Sequence, residues 1–204
     1  MASRTNARGN GRKPGQSARE VQEALAGANP VKTVVTRFLG IPTAEQAWGT
    51  GAEGEEHVGR LLNKLRKAGW LVMHDLEISH TGRNVDHLAI GPTGVFVIET
   101  KKLSGEVRVN GPSIKVNGYS QDYVENLKEQ ARLVHELLNQ RLEWDNLWVQ
   151  GLLVFVEPEL KVKAQPGVVW VVTDEELLPT LRNWDRRLTQ NQMNAIAHAA
   201  QAIW

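Results

Sequence analysis

The stretch NVDHLAIGPTGVFVIETKK, residues 84–102, is apolar except for charged groups near its two ends. Apolar runs on either side of Gly91-Pro92-Thr93-Gly94 predict a β-hairpin, because Pro at the second and Gly at the fourth position suit a type I turn in a four-residue loop. That turn sets a register: Ile90 against Val95, Leu88 against Val97, and Asp86 against Glu99. Strand alternation places Val95, Val97, Glu99 and Lys101 on one face, with Phe96, Ile98 and Thr100 on the other. Two carboxylates therefore stand opposite each other, with an amine on the same face. Like charges paired across strands are unfavourable, and burial makes them worse unless a cation or a shared proton relieves the repulsion.

Two sources of positive charge fit this arrangement. Lys101 can form a half-buried structural salt bridge at the sheet edge. One amine does not satisfy two acids, whereas a divalent ion with oxygen ligands does. Mg²⁺ commonly takes one or two protein carboxylates together with waters and phosphate oxygens.

Around the hairpin, a chain of 204 residues is long enough for one domain plus an arm. It has no cysteine, which removes disulfides, thiolate zinc sites and cysteine nucleophiles and is compatible with a reducing cytoplasm, the expected location. No apolar run approaches a membrane span and the N-terminus has no signal core, so a soluble, unsecreted protein is expected. Residues 1–40 carry seven Lys/Arg and two Asp/Glu, so a net charge of +1 conceals a basic N-terminal region and an acidic body. Residues 1–16 read as a disordered basic arm. Within it, Arg4, Arg8, Arg12 and Lys13 can hold phosphate backbones without reading sequence, and the same composition equally suits a solubilising tail. Residues 17–47 read as short helices and linker: one helix starts at a Ser17/Glu20 capping box and another covers 31–39. Residues 48–204 read as the folded domain.

In that domain, Val58, Leu61, Leu62 and Leu65 recur at helical spacing up to Gly69. A strand at 70–78, the first hairpin and a second hairpin at 106–116 follow, then an amphipathic helix over 120–141. Strands at 148–156 and 167–172 precede a helix capped by Thr173 and Glu176 and a C-terminal helix. This order predicts an α/β fold around a mixed sheet, flanked by helices. The segment GTGAEG at 49–54 matches a dinucleotide fingerprint, but no strand precedes it, and Glu53, Glu55 and Glu56 repel a pyrophosphate. Those acids read instead as complements to a helix N-terminus. Glu55 stands apart, because its spacing to Val58 and Leu62 aims it along the face that packs on the sheet. The six histidines have no ligand spacing and no G-x-S-x-G turn occurs. Asn126 and Gln130, one turn apart on the long helix, suit either a satisfied buried amide pair or a pair facing a phosphate.

Three elements occur in order: G-x-x-G-E at Gly51, Gly54 and Glu55, N-x-D-H at Asn84, Asp86 and His87, and E-T-K at Glu99 and Lys101. Together they resemble the NERD (nuclease-related domain) family, a branch of the PD-(D/E)XK, restriction-endonuclease-like nuclease superfamily. The resemblance runs from about Gly51 to Gly105 and more weakly to about Val172. It implies a core of helix, three strands, helix and strand. It further implies that Asp86 and Glu99 bind Mg²⁺ or Mn²⁺ and that Lys101 assists the attack of water on a phosphodiester. Glu55 matches the acidic residue often carried on the first helix of the superfamily, and Gln130 the glutamine of the helix after the sheet. Val85 stands where the superfamily has Pro, Lys102 where Asn is common, and Leu127 where this branch often has Pro. The resulting expectation is a metal-dependent nuclease whose partner is nucleic acid, DNA ahead of RNA. The alternative is a nucleic-acid-binding or regulatory module on the same fold that does no chemistry.

Overall fold

The computed structural model describes residues 12–28, 44–78 and 84–204. The expected helix over 31–39, and Arg4 and Arg8 of the arm, lie outside the described residues. Element by element, α1 (Gln16–Ala28) and α2 (Ala44–Asn63) are followed by a 3₁₀ turn that ends at Gly69 with φ 83°. Strands β1 (Leu71–Glu77), β2 (Asn84–Gly91) and β3 (Gly94–Lys102) lead into β4 (Glu106–Asn110), β5 (Ser113–Val116) and β6 (Tyr119–Gln121). Helix α3 (Tyr123–Leu142), strands β7 (Val149–Val156), β8 (Glu159–Ala164) and β9 (Val169–Thr173), and helices α4 (Asp174–Asn183) and α5 (Gln190–Ile203) complete the order.

The central sheet is five-stranded in the order β1-β2-β3-β7-β9. Its first three strands are antiparallel, and β3, β7 and β9 run parallel. Alternation along β3 divides the core into two layers. Val95 and Val97 pack with Val124, Leu127, Val134 and Leu138 of α3 and with Ile196 of α5, while Phe96 and Ile98 pack with Val58 and Leu62 of α2 and with Leu177 and Leu181 of α4. The expected core of helix, three strands, helix and strand is present as α2, β1 to β3, α3 and β7. The segment between β3 and α3 supplies β4 to β6 of a second, four-stranded sheet, ordered β6-β5-β4-β8, whose remaining strand follows β7. Its inner residues Val107, Val109 and Ile114 join the α3 side of the core. β8 escapes the sequence reading because five of its six residues are exposed and three are charged, so no apolar run marks it.

Several expectations change with the structure. Ser17 does not cap a helix, because α1 begins at Gln16 and the Ser17 hydroxyl is bonded to Asp75. Residues 12–16 are not free arm: Pro14 and Gly15 lie so close to α2 that a Cβ on Gly59 would come within 2.3 Å of Pro14, and one on Gly15 within 2.9 Å of the Ala52 carbonyl. Glu53, Glu55 and Glu56 are not at a helix start, because α2 begins at Ala44 and runs through GTGAEG. Glu53 pairs with Lys102 and Glu56 with Arg19 instead. The hairpin loop is shorter than expected, since Gly91 and Gly94 pair directly and leave Pro92 and Thr93 as the turn. Thr173 with Glu176 forms the expected capping box, and Thr189 with Gln192 forms another at the last helix.

Candidate active site

The polar end of the hairpin is where the sheet's ladders are interrupted. Ile90 pairs with Val95 and Leu88 with Val97 as expected, but the β2–β3 pairing stops at His87 and Ile98. Asp86 and Glu99 therefore do not form the ladder pair expected of them. The Asp86 carboxylate takes the place of a ladder bond by accepting from the Thr100 backbone N–H at 2.7 Å. On its other side the β1–β2 register passes from His74/His87 to Leu76/Val85, skipping Asp75, whose φ is 52°. Asp86 thus sits where β2 is released from both neighbours. β3 continues beyond it through its parallel pairing with β7 as far as Lys102 and Val156.

Glu99 divides its carboxylate between two donors. Lys101 Nζ lies 2.6 Å from one oxygen, and Gln130 Nε2 of α3 lies 3.0 Å from the other. The Lys101 ammonium also rests over the Tyr123 ring, 5.3 Å from its centroid. Gln130 Nε2 is 3.4 Å from the Asn84 carbonyl, while its Oε1 is buried with no hydrogen-bond partner in the protein. Asn126 is exposed and is not part of this group.

Helix α2 brings the third acid. A Cβ on Gly54 would lie 2.8 Å from the Lys102 Cβ and 3.4 Å from the Thr100 Cγ2, so glycine here lets α2 lie directly on the end of β3. The next residue, Glu55, is half-buried, and its carboxyl is pushed up to about 7 by burial and by the charges of Glu99 and Asp75. Asp86 is held well above the usual carboxylate range by burial first, then by Glu99 and Glu55. Burial works against the charge of Lys101, but Glu99 and Asp86 outweigh it and leave the ammonium raised. An amine held this way remains a cation at neutral pH, which suits it to donate hydrogen bonds and stabilise negative charge and not to accept a proton.

Among the expected site residues, Asp86, Glu99, Lys101, Glu55 and Gln130 gather at this one place. Arg12 does not join a free basic surface, because its Nε lies 2.9 Å from Asp75, which is 3% exposed. Lys13 is exposed. Among the described residues, no three His, Asp or Glu side chains stand at metal-ligating spacing, Glu99 being turned to Lys101 and Gln130 and Asp86 to Thr100. The sequence reading missed Asp75, Ser17 and the buried imidazole pair. His74 and His87 lie opposite each other with Nδ1 atoms 2.9 Å apart, one donating and one accepting. Burial depresses both, His74 to about 4 and His87 well below its usual value. His87 stands opposite Ile98, on the α2 side of the sheet. A signal for Asp75 is absent from the local sequence, since nothing in "VMHDLE" marks a left-handed residue.

Helix, antiparallel hairpin and following helix converge on an acid, acid, lysine group, and this arrangement is accompanied by a match to the nuclease-related domain family over residues 50–156, just over half of the chain. The chain belongs to that family. It is also similar to an uncharacterized protein of Bacillus anthracis, 40% identical over 58 residues, a segment that is 27% of this chain and 27% of the relative. The chain therefore matches about a quarter of that relative's length. No solved structure matches it. Among the described residues, no helix is long and apolar enough to cross a membrane.

Proposed function

We propose that the protein is a divalent-metal-dependent nuclease that hydrolyses phosphodiester bonds of nucleic acid, with DNA as the expected substrate. The observation that carries this reading is the gathering of Asp86, Glu99, Glu55, Lys101 and Gln130 where β2 parts from β3 and the β1–β2 ladder skips Asp86. The donor set fits a hard divalent cation. Its side chains are oxygen donors of the kind Mg²⁺ and Mn²⁺ prefer, Asp86 and Glu55 are destabilised as anions, and Gln130 Oε1 is an unpartnered buried acceptor. Asp86 and Glu99 would hold the ion, with Glu55 beside them. When bound, such a cation polarises a phosphoryl oxygen and lowers the pKa of an attacking water.

The chain's own residues supply the rest. Lys101, fixed by Glu99 at 2.6 Å, donates toward the attacking water or toward charge developing on the phosphate. Gln130 holds the second Glu99 oxygen and so fixes the carboxylate plane. Glu55, poised near neutrality at about 7, is suited to take up a proton at physiological pH. The test is incubation of the purified protein with single-stranded, duplex and structured DNA and RNA, with and without Mg²⁺ or Mn²⁺. Metal-dependent cleavage that Asp86→Asn and Glu99→Gln abolish is expected. Cleavage that persists in either variant rejects the assignment.

A second reading, a nucleic-acid-binding or regulatory module that does no chemistry, draws on the charge of the body. With seven of the 24 Lys/Arg and only two of the 23 Asp/Glu in residues 1–40, the remainder is net acidic, whereas an extended phosphate-binding surface is usually basic. Salt-sensitive binding of DNA or RNA without cleavage in any metal supports that reading over the first.

A further inference from the structure

Asp75 is the anomaly of the molecule. It is 3% exposed, carries a charge, and adopts φ 52°, a left-handed conformation that a residue other than glycine seldom takes without a reason. In an unbroken ladder it would lie opposite Asp86, because the flanking pairs are His74/His87 and Leu76/Val85. The two aspartates would then be like charges paired across strands. The left-handed turn takes Asp75 out of the ladder, and its carboxylate meets the N-terminal segment instead. One oxygen is 2.9 Å from Arg12 Nε, 3.1 Å from Ser17 N and 3.0 Å from Ser17 Oγ. The other accepts from Asn84 Nδ2 at 2.9 Å. Ser17 Oγ also accepts from Asn84 Nδ2 at 2.8 Å and from Arg12 Nη2 at 3.0 Å.

Asn84 is the first residue of β2, two before Asp86, and its carbonyl is 3.4 Å from the same Gln130 Nε2 that holds Glu99. Contacts therefore run without a gap from Arg12 and Ser17 through Asp75, Asn84 and Gln130 to Glu99. The same segment seats Pro14 against Gly59 and Gly15 against Ala52 on α2, the helix that carries Glu55. Residues 12–17 precede the family match, which begins at residue 50.

We propose that residues 12–17 are a clamp that completes the site: Arg12, Ser17 and Asp75 act as positioning residues, holding β2 through Asn84 so that Asp86 stays free of both ladders. The inference rests on the nuclease reading above. It assigns Arg12 a role different from the phosphate contact expected of a basic arm, because its half-buried guanidinium is already paired with Asp75, Ser17 and Glu20. The two roles have opposite signatures. A phosphate contact acts on KM and on the salt dependence of binding, whereas a group that orients metal-binding side chains acts on kcat and metal affinity, typically by about 10- to 100-fold.

The experiment measures kcat, KM and its salt dependence on a DNA oligonucleotide, and Mn²⁺ affinity by calorimetry without substrate, for the full chain and for Arg12→Met, Arg12→Lys and Ser17→Ala. For Arg12→Met, a fall of about 10- to 100-fold in kcat and weaker Mn²⁺ binding are expected, with KM and its salt dependence unchanged. Arg12→Lys restores most of both, because a lysine keeps the charge beside Asp75. Should Arg12→Met fail to fold, as a thermal melt reveals, Ser17→Ala decides: it removes no charge and is expected to lower kcat and Mn²⁺ affinity by a smaller factor in the same sense. A raised KM with a flatter salt dependence and unchanged kcat would overturn the clamp in favour of phosphate contact. Folded Arg12→Met and Ser17→Ala proteins with wild-type kcat and Mn²⁺ affinity would also overturn it. Wild-type protein that neither cleaves nor binds Mn²⁺ sinks the nuclease reading itself, an outcome distinct from an active wild type whose variants are unaffected.

Discussion

At its turn the β2–β3 hairpin is fully paired, apolar and anchored from outside. Gly91 pairs with Gly94 and Ile90 with Val95, Arg187 and Leu188 donate backbone bonds to the Pro92 carbonyl, and the Thr93 hydroxyl donates to the Leu181 carbonyl at 2.7 Å. At its open end β2 parts from β3 and the β1–β2 ladder skips a pair, acids are buried beside one another, and side chains take over bonds that backbone makes elsewhere. One end follows the rules by which sheets gain stability and the other breaks them, and the family motifs lie at the end that breaks them. On the proposed function, stability and chemistry are separated along one pair of strands, which is how a rigid scaffold can carry a site that is itself unfavourable.

Substitutions at the two ends are expected to separate the two properties. The largest effect belongs to the open end. Asp86→Asn should reduce metal-dependent cleavage by at least about 10³-fold, the loss of several kcal/mol of charge stabilisation in the barrier. Its thermal midpoint should be unchanged or higher, because a buried carboxylate facing other acids is removed. A large loss of stability in this variant would show that the open end is structural after all. Next is Phe96→Ala at the closed end, where Phe96 is fully buried against Trp70, Trp148 and Trp184. Denaturant titration should give a loss of about 3–5 kcal/mol, with cleavage per folded molecule retained in the cold. Gly91→Ala should cost less, about 1–3 kcal/mol, since its Cβ would fall 2.2 Å from the Trp70 ring and the indole must shift.

The smallest effects are those of pH. Glu55 titrates at about 7 in the fold against an ordinary 4.5, so folding favours its neutral form. Its contribution to stability is fully present below pH 4.5 and is lost as pH rises through about 7. Glu55→Gln should therefore raise the midpoint at pH 8 and leave it nearly unchanged at pH 4.5, each kcal/mol appearing as about 2–4 °C in a chain of this size. The imidazole pair works in the opposite sense. With His74 depressed from 6.5 to about 4, its contribution is present above pH 6.5 and fades as pH falls toward 4. That acid limb should remain in the Glu55 variant. Millimolar Mg²⁺ should raise the midpoint more at pH 8 than at pH 5, because only the ionised acids attract it, and an equal shift at both values would place the cation elsewhere.

The sequence by itself determined the hairpin, the face shared by Glu99 and Lys101, the amphipathic long helix that carries Gln130, and the capped helix after Thr173. All of these rest on period, turn chemistry and capping between residues close along the chain. It also marked Asp86, Glu99, Lys101, Glu55 and Gln130 as belonging together, through motifs whose order matched a family. Only the tertiary structure decided that Asp86 leaves both ladders, that Asp75 turns left-handed to meet Ser17, 58 residues away, and that Arg12 is committed to the buried Asp75. It alone revealed β8, a polar strand held by parallel pairing with β4. Such features depend on which distant groups meet, and a buried charge takes its conformation from the partner that neutralises it. Local pattern carries no record of that partner.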